Sequence, residues 1–374
     1  MRLVFVTLML LLLALQPTAP TRDAGLHGPV DVFVAGEGPY AIYRIPTILR
    51  LKDGSLLAIA EGRDSKSDNG SNDIVLRRSG DGGATWEPTR TVLDLPGRSL
   101  NNPCMVQVTR GPHQGRVLLM FQSYPTGCGE GCVRPGTEPA TACLTLLMAS
   151  DDGGRNWSGP RDISTSVKRG APVTSVATGP GLGIQLQSGP RAGRILMPFN
   201  QGPPGAWRVY AAFSDDGGDV WSLGAVAPED GHGRANEVQF AERHGGELVL
   251  VARQFDGGAR RKTAVSSDGG ESWTRLRPVP ELVDPSCMGG LVALQGGLLP
   301  RMVCTGPANE VARADGRAWF SEDGGESWPS SAPIAGGFFA YSVPVQLASD
   351  RLGVLYERDD YRRISFVTLP IPDP

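Results

Sequence analysis

The sequence has few features of a nucleic-acid-binding, metal-dependent or membrane-spanning protein. Its formal net charge is only -3 over 374 residues, and no basic block stands out, which argues against nucleic-acid binding. The 4 histidines are scattered along the chain without the spacing of metal ligands. Beyond the amino-terminal segment, no apolar run is long enough to cross a bilayer. We therefore expect no cofactor, no metal and no membrane span in the mature chain.

Long helical patterns are scarce, whereas residues that form turns are abundant. The chain contains 50 glycines and 31 prolines, and short runs of β-branched and aromatic residues lie between them. This pattern is typical of many short strands joined by turns. A hydrophobic content of 40% is sufficient for a packed core. The composition therefore predicts an all-β fold.

The amino-terminal segment has the form of a secretory signal peptide. Arg2 precedes an apolar run over residues 3–15, and a small and polar stretch follows. The run is short for a membrane span, although an uncleaved membrane anchor is the alternative. We predict a signal peptide over residues 1–24, with cleavage near Ala19 or Ala24, and a single domain over residues 25–374. The mature protein would be secreted, periplasmic or delivered to another exported compartment.

The chain has six cysteines, a number that is compatible with export to an oxidising compartment where disulfides form. Cys128 and Cys132 lie close together in the segment CGEGC. No histidine or further cysteine pair accompanies them, so a disulfide-pinned loop is favoured over a zinc site. Cys287 and Cys304 flank a predicted hairpin and could pair across it.

One pattern of eight residues, Ser-x-Asp-x-Gly-x-x-Trp, occurs five times, at residues 79–86, 150–157, 214–221, 266–273 and 321–328. Its Ser and Asp side chains can bond nearby backbone N–H groups, Gly permits a positive φ, and Trp can bury a large surface. Each octet therefore indicates a turn in a small antiparallel sheet. Sheets repeated roughly every 50 to 70 residues predict a β-propeller of about six units. The segments DVFV and ISFVTL, near the two ends, could share one sheet and close the ring.

The octets resemble Asp boxes, also called bacterial neuraminidase repeats, which occur in catalytic and non-catalytic propellers alike. Their aspartates are therefore expected to be structural, and these are Asp81, Asp152, Asp216, Asp268 and Asp323.

Four segments that extend beyond the octets resemble the sialidase family and follow its order. They are YRIPTILRLKDGSLLAIAEGRDSKSDNGSNDIVLRR, NEVQFAERHGGELVLVAR, GPANEVARADGRAWFSEDGGESW and FAYSVPVQLASDRLGVLYE. The likeness covers nearly all of the mature chain, and lysosomal and bacterial exo-sialidases look nearest. The resemblance implies a six-bladed β-propeller with Asp-box turns that acts as an exo-α-sialidase.

The resemblance assigns substrate binding to three arginines. The carboxylate of the substrate would be bound by Arg44, Arg253 and Arg313. Guanidinium groups suit this task because they stay charged and donate paired hydrogen bonds. Because three such groups in one cavity repel each other, a carboxylate must support them, and Glu357 matches the family's residue beside the first arginine.

The resemblance also assigns three catalytic roles. Asp68 would be the acid/base; Asp64 and Asp73 are nearby rivals that lack its spacing to the segment IVLRR. Tyr341 would be the nucleophile, and Glu237 would be the base that activates it. The anomeric carbon of a sialic acid carries a carboxylate, so a neutral phenol avoids the repulsion that a charged nucleophile would meet. A phenol with an ordinary pKa of about 10 needs an adjacent base.

The reaction that the resemblance implies is the hydrolysis of terminal α-linked sialic or nonulosonic acids from glycans, glycoproteins or glycolipids. It would proceed with retention through a tyrosyl-glycosyl intermediate. Two other classes stay open. A non-catalytic carbohydrate-binding propeller would have little reason to keep the full set of site residues. A structural propeller that uses the octets only as turns would leave the segments YRIP and FAYS unexplained.

Three stretches depart from the family's pattern. The segment APVTSVATGPG lacks aromatic residues, residues 199–201 read FNQ where a Cys-Asp-His-like triplet is common, and Met288 stands where glutamine is usual. These departures predict altered recognition of the substituents on the sugar.

Overall fold

The computed structural model describes residues 28–255, 258–296 and 300–373, and nearly all of the regular structure within them is β-strand. The all-β prediction is confirmed. The predicted signal peptide, residues 1–24, lies outside the described residues. In the described part of the chain the one helix is α1 (Ser164–Val167), a single turn, and no helix there has the length and apolarity to cross a membrane.

Twenty-five strands follow one another along the described chain. The first twelve are β1 (Val30–Val34), β2 (Ile42–Arg50), β3 (Leu56–Arg63), β4 (Asn72–Ser79), β5 (Arg90–Leu93), β6 (Arg98–Gln107), β7 (Val117–Pro125), β8 (Leu144–Ser150), β9 (Arg161–Asp162), β10 (Val176–Thr178), β11 (Gly181–Leu182) and β12 (Ile184–Gln185). The others are β13 (Ile195–Gln201), β14 (Arg208–Ser214), β15 (Ser222–Leu223), β16 (Arg234–Glu242), β17 (Leu248–Phe255), β18 (Arg260–Ser266), β19 (Arg277–Val283), β20 (Gly290–Ala293), β21 (Met302–Pro307), β22 (Ala314–Ser321), β23 (Ser330–Ala348), β24 (Arg351–Arg358) and β25 (Arg363–Pro370).

Hydrogen bonding groups the described strands into five sheets, built mainly from consecutive antiparallel hairpins. Four of them have the orders β2-β3-β4-β5, β11-β6-β7-β8-β9, β10-β13-β14-β15 (with β12 beside β13) and β16-β17-β18-β19. The fifth has seven strands in the order β20-β21-β22-β23-β24-β25-β1. Its long strand β23 pairs with β22 up to Phe338 and with β24 from Phe339 onward. The seven-stranded sheet therefore contains two four-stranded sets that β23 joins.

One strand of each set is called its leading strand, and these strands are β2, β6, β10, β16, β20 and β23. The sets close a ring, because the leading strand of each set contacts the leading strand of the next. In order, β2 contacts β6, β6 contacts β10, β10 contacts β16, β16 contacts β20, β20 contacts β23, and β23 contacts β2. The strand β1 pairs with β25, which confirms the predicted pairing of DVFV with ISFVTL. Six buried hydrophobic clusters in the described chain fill the spaces between neighbouring sets. The arrangement is β-propeller-like.

Each octet forms the turn between the third and fourth strands of its set, and its own side chains hold that turn. In the fourth octet, the Ser266 hydroxyl donates to Asp268 Oδ1 over 2.8 Å. The N–H of Gly270 donates to Ser266 Oγ over 2.9 Å, and the N–H of Ser272 donates to Asp268 Oδ1 over 2.9 Å. The other octets make equivalent bonds. The polar residues of the octet therefore satisfy backbone donors that the turn leaves unpaired.

The glycine at the fifth position of each octet lies against a neighbouring sheet. Gly154 has a φ of +80°, and a Cβ at this position would approach the Leu57 side chain to 2.9 Å. Gly218 has a φ of +100°, and its Cβ would lie 2.5 Å from Leu118. A larger residue would therefore meet both backbone strain and a steric clash. Each octet therefore packs against the preceding set of strands, which is a structural role.

Replacement of Asp268 by alanine is expected to lower the free energy of unfolding by about 1–2 kcal/mol, because it removes the acceptor for the turn's backbone donors. Urea unfolding measures the change. The matched control is Ser267→Ala, since Ser267 is exposed in the same turn and such surface changes alter stability by about 0.5 kcal/mol or less. Equal stability of the two variants would contradict the role of the octet in holding the turn.

The cysteines follow the sequence predictions in part. Cys128 and Cys132 form a disulfide, which confirms the pinned loop and leaves no thiolates for zinc. Cys287 and Cys304 are both buried and free, so the pairing that the sequence allowed is wrong. The reason is register, because Cys304 lies opposite Leu291 in the pair of β20 with β21, whereas Cys287 precedes β20.

Candidate active site

A cavity of about 700 Å³ opens where the leading strands meet, and six of the seven predicted site residues line it. They are Arg44 from β2, Asp68 from the loop after β3, Glu237 from β16, Arg253 from β17, Arg313 from the loop before β22 and Tyr341 from β23. The seventh, Glu357 on β24, is fully buried beside Arg44. The structure thus brings together residues from distant parts of the chain in a space large enough for a small ligand.

The leading strands are bulged where they line this cavity. The pairing register of β2, β6 and β16 shifts there, and Ile45, Asn102 and Glu237 have positive φ angles of 54°, 55° and 26°. Residues other than glycine adopt such angles at a cost of about 1–3 kcal/mol each. Bulges change the direction in which neighbouring side chains point. Three strained backbone positions therefore lie at the cavity.

Glu357 supports the bulge of β2 and the arginine next to it. Its Oε1 accepts hydrogen bonds from Arg44 Nε over 2.7 Å and from the N–H of Ile45 over 2.9 Å. Its Oε2 accepts one from the N–H of Tyr341 over 3.3 Å. Burial lowers the pKa of the Arg44 guanidinium, but the charge of Glu357 outweighs this, and the pKa lies above its ordinary value. The carboxylate thus pairs a buried N–H that the bulge removed from the strand ladder, and it fixes Arg44.

The phenol of Tyr341 donates a hydrogen bond to Glu237 Oε1, and Arg253 bonds to both residues. Arg253 Nη1 lies 2.5 Å from Glu237 Oε2 and 3.2 Å from Tyr341 Oη. A carboxylate in direct contact with a phenol is placed to remove its proton.

The Tyr341 phenol is neutral in the free protein. Burial raises its pKa well above the ordinary value, the charge of Glu237 raises it further, and Arg253 and Arg313 act in the opposite direction. A neutral phenol is a weak nucleophile unless a base takes its proton as it attacks. Glu237 is the carboxylate that contacts it.

Two residues that were not singled out from the sequence hold the three arginines around one space. Arg313 Nη1 donates to Tyr361 Oη over 3.0 Å, and Arg44 Cζ lies 3.9 Å from the centre of the Tyr361 ring. Arg313 Nη2 donates to the Ser286 carbonyl over 3.0 Å, and Arg253 faces the Ser286 hydroxyl at 3.3 Å. Three fixed guanidinium groups around one cavity suit an anionic ligand.

Of the three acidic candidates in the first segment, Asp68 lines the cavity and the other two do not. The Asp68 side chain is 74% exposed, and its Oδ1 accepts a hydrogen bond from Arg63 Nη1 over 2.6 Å. Asp73 instead accepts a bond from the Tyr40 hydroxyl over 2.7 Å. The position of Asp68 at an exposed edge leaves it accessible to a ligand that extends out of the cavity.

A second buried glutamate repeats the arrangement of Glu357. Glu61 accepts hydrogen bonds from Arg63 Nε over 2.8 Å and from the N–H of Asn102, at the bulge of β6, over 2.6 Å. Arg63 is 1% exposed and reaches the cavity beside Asp68. Neither Glu61 nor Arg63 was singled out from the sequence, since a charged pair at the end of a strand is typical of many hairpins.

Glu130 is a further cavity residue that the sequence did not reveal. It lies between Cys128 and Cys132, and the spacing of these cysteines was the readable signal there. Ser286 and Tyr361 were also missed, because they lie in turns, where they have positive φ angles of 62° and 64°.

The octets and the cavity are separate, because no octet residue lines the cavity. Two of the three stretches that depart from the family's pattern do reach it, through Ala177 and Asn200. Met288 is fully buried and does not line it. The differences that face a ligand therefore lie on β10 and β13.

Comparison with known proteins finds similarity to one repeat family and to several sialidases. The BNR repeat-like domain family matches residues 54–354. The sialidase of Micromonospora viridifaciens is 31% identical over 355 residues, which cover 91% of this chain and 54% of that protein. Sialidase-2 of Rattus norvegicus is 30% identical over 359 residues, which cover 87% of this chain and 91% of that protein.

Among solved structures, the Hadza microbial sialidase Hz136 superimposes with a TM-score of 0.82 at 28% identity, over 92% of this chain and 68% of that one. This chain spans about half of the Micromonospora protein and 62% of a second bacterial relative.

Proposed function

Since the chain belongs to the sialidase family, we propose that it is an exo-α-sialidase that hydrolyses terminal α-linked sialic or related nonulosonic acids. The observation that carries this proposal is the contact between the Tyr341 phenol and Glu237 in a cavity that three arginines line. The proposed substrates are sialylated glycans, glycoproteins or glycolipids. The relatives named above, which are sialidases, support this substrate class.

Substrate binding is the task of the three arginines in this proposal. Arg44, Arg253 and Arg313 donate charge-assisted hydrogen bonds to the carboxylate of the sugar. Glu357 and Ser286 fix their positions before the substrate arrives. Because the donors are already oriented, little reorganisation is required when the substrate binds.

In the first chemical step, Tyr341 Oη attacks the anomeric carbon while Glu237 takes the phenolic proton. Asp68 gives its proton to the glycosidic oxygen, and the rest of the glycan leaves as an alcohol. The product of this step is a covalent bond between Tyr341 and the sugar. The exposed position of Asp68 suits an acid that must reach a leaving group extending into solvent.

In the second step, a water molecule takes the place of the departed glycan. Asp68 accepts a proton from this water as its oxygen attacks the anomeric carbon. The bond to Tyr341 breaks, and Glu237 returns its proton to the phenolate. Two displacements at one carbon retain the configuration, so the first product is the α anomer.

The proposal also covers the number of blades in the ring and the export of the protein. The ring would have six blades, with the two parts of β23 in separate blades. The cyclic contacts of the leading strands and the two four-stranded sets joined by β23 support this count. The mature domain would be residues 25–374, exported by the segment that precedes it.

Hydrolysis of a fluorogenic α-sialoside, tested beside its deaminated analogue, is the experiment for this proposal. We expect release of the fluorophore, and proton NMR should detect the α anomer before it mutarotates. Binding of the sialoside without turnover would favour the non-catalytic carbohydrate-binding alternative. A β anomer formed first would overturn the tyrosyl mechanism but not the activity.

A further inference from the structure

Glu130 lines the cavity but takes part in none of the contacts described above. It lies in the loop between β7 and β8, inside the disulfide of Cys128 with Cys132. The residue is half-buried, and among the described residues no group donates a hydrogen bond to its carboxyl or forms an ion pair with it. The carboxyl is therefore available to a ligand.

The loop that carries Glu130 is fixed against the segment of Asp68. The N–H of Gly127 donates to the Asn69 carbonyl over 2.8 Å. Gly129 packs so closely against the Asn69 side chain that a Cβ at this position would clash with it. The disulfide closes the same loop, which limits its conformational freedom. Glu130 is thus presented to the cavity at a defined place rather than on a free surface loop.

The charged groups that face Glu130 come from other elements of the ring: Glu237 on β16, Asp68 in the loop after β3 and Arg253 on β17. Tyr124 on β7 and Cys143 beside β8 are the other titratable neighbours. Burial, together with the charges of Glu237 and Asp68, raises the pKa of Glu130 to about 7, while Arg253 lowers it. The carboxyl is therefore largely neutral in mild acid and largely ionised in mild base.

We propose that Glu130 is a substrate-binding residue whose carboxyl group recognises hydroxyl groups of the bound sugar. The inference rests on the proposed function, because it takes the substrate to be an anionic, polyhydroxylated sugar. A neutral carboxyl can both donate and accept hydrogen bonds, as a hydroxyl group can. Glu130 would therefore contribute to specificity on the side of the cavity formed by its own loop.

The charge of the cavity gives the expected direction of the pH effect. With Glu130 neutral, the cavity is lined by four arginines and by the acidic side chains of Asp68 and Glu237. Ionisation of Glu130 adds a negative charge, which weakens the attraction for an anionic sugar, and removes a hydrogen-bond donor. Affinity for the substrate should thus decrease as the pH rises through neutrality.

The test compares the KM of wild-type protein and of Glu130→Gln between pH 6 and pH 8. The KM of the wild type should rise roughly tenfold over this range, because the protonated fraction of a group that titrates near 7 falls by that factor. The glutamine variant stays neutral, so this rise should disappear while kcat changes little. Titrations that do not depend on the charge of Glu130 occur in both proteins and cancel in the ratio of their kcat/KM values.

The matched control is Glu138→Gln, since Glu138 is exposed in the same loop and outside the cavity. This control should keep the wild-type pH profile. If Glu130→Gln also kept the wild-type rise in KM, the inference would be overturned while the sialidase activity stood. Failure of the wild type to hydrolyse any sialoside would overturn the proposed function instead. Glu130→Ala should raise KM even at pH 6, and an unchanged KM there would contradict hydroxyl recognition.

Discussion

Phenylalanine in place of Tyr341 is expected to lower kcat by about 10³-fold or more, because it removes the oxygen that would bond to the sugar. The ring itself stays, so the packing around it and the three arginines should be preserved. Substrate binding should therefore change far less than turnover. Steady-state kinetics with a fluorogenic sialoside measure kcat and KM separately.

A covalent trap identifies the attacking residue directly. A 3-fluoro sialosyl fluoride should label the wild type, because its fluorine destabilises the oxocarbenium-like transition state while fluoride still leaves. Mass spectrometry of a digest should find the label on Tyr341 and no label in Tyr341→Phe.

Tyr361 is the matched control, since its phenol also lines the cavity and lies 3.0 Å from Arg313. The variant Tyr361→Phe should still be labelled on Tyr341. In the wild type, a label on Tyr361 or on any residue other than Tyr341 would exclude Tyr341 as the nucleophile.

Alanine in place of Arg313 is expected to reduce kcat/KM by roughly 10²- to 10³-fold, equivalent to about 3–4 kcal/mol. This is the effect expected when one preorganised charge-assisted donor is removed from a substrate-binding site. Arg313 lies at an open cavity and bonds to Tyr361 and to the Ser286 carbonyl, which solvent can reach after the change. Thermal stability should therefore stay near the wild-type value.

The control for this prediction is Arg317→Ala. Arg317 lies on β22 outside the cavity and donates to the Ser331 hydroxyl over 2.9 Å. Its removal should leave kcat/KM close to that of the wild type. Near-normal kcat/KM in Arg313→Ala would remove Arg313 from the set of substrate-binding residues.

The architecture could be predicted because its signals are local. An octet contains both its turn and the side chains that hold the turn, as Ser266 and Asp268 show. Repetition then indicates a series of similar sheets. The cysteine pairing was wrong because Cys287 and Cys304 depend on strand register, which no short segment reveals.

The cavity was only partly predictable for a related reason. Glu61 bonds to Asn102, 41 residues away, and does so because β6 is bulged at that residue. Glu130 enters the cavity through a loop whose readable feature was its cysteines. Such contacts depend on how the sheets meet, and no pattern within one strand reports them.

The pairing of β1 with β25 imposes an order on folding. Arg358 donates to Asp31 over 2.8 Å although the two residues are 327 positions apart in the chain. The other sheets consist mainly of consecutive hairpins and can form as soon as their strands are available. Closing so long a loop is entropically costly, and during synthesis β25 leaves the ribosome after all the other strands of the ring. Until then the ring is open and has unpaired strand edges, so this interval is when association between nascent copies is most favoured.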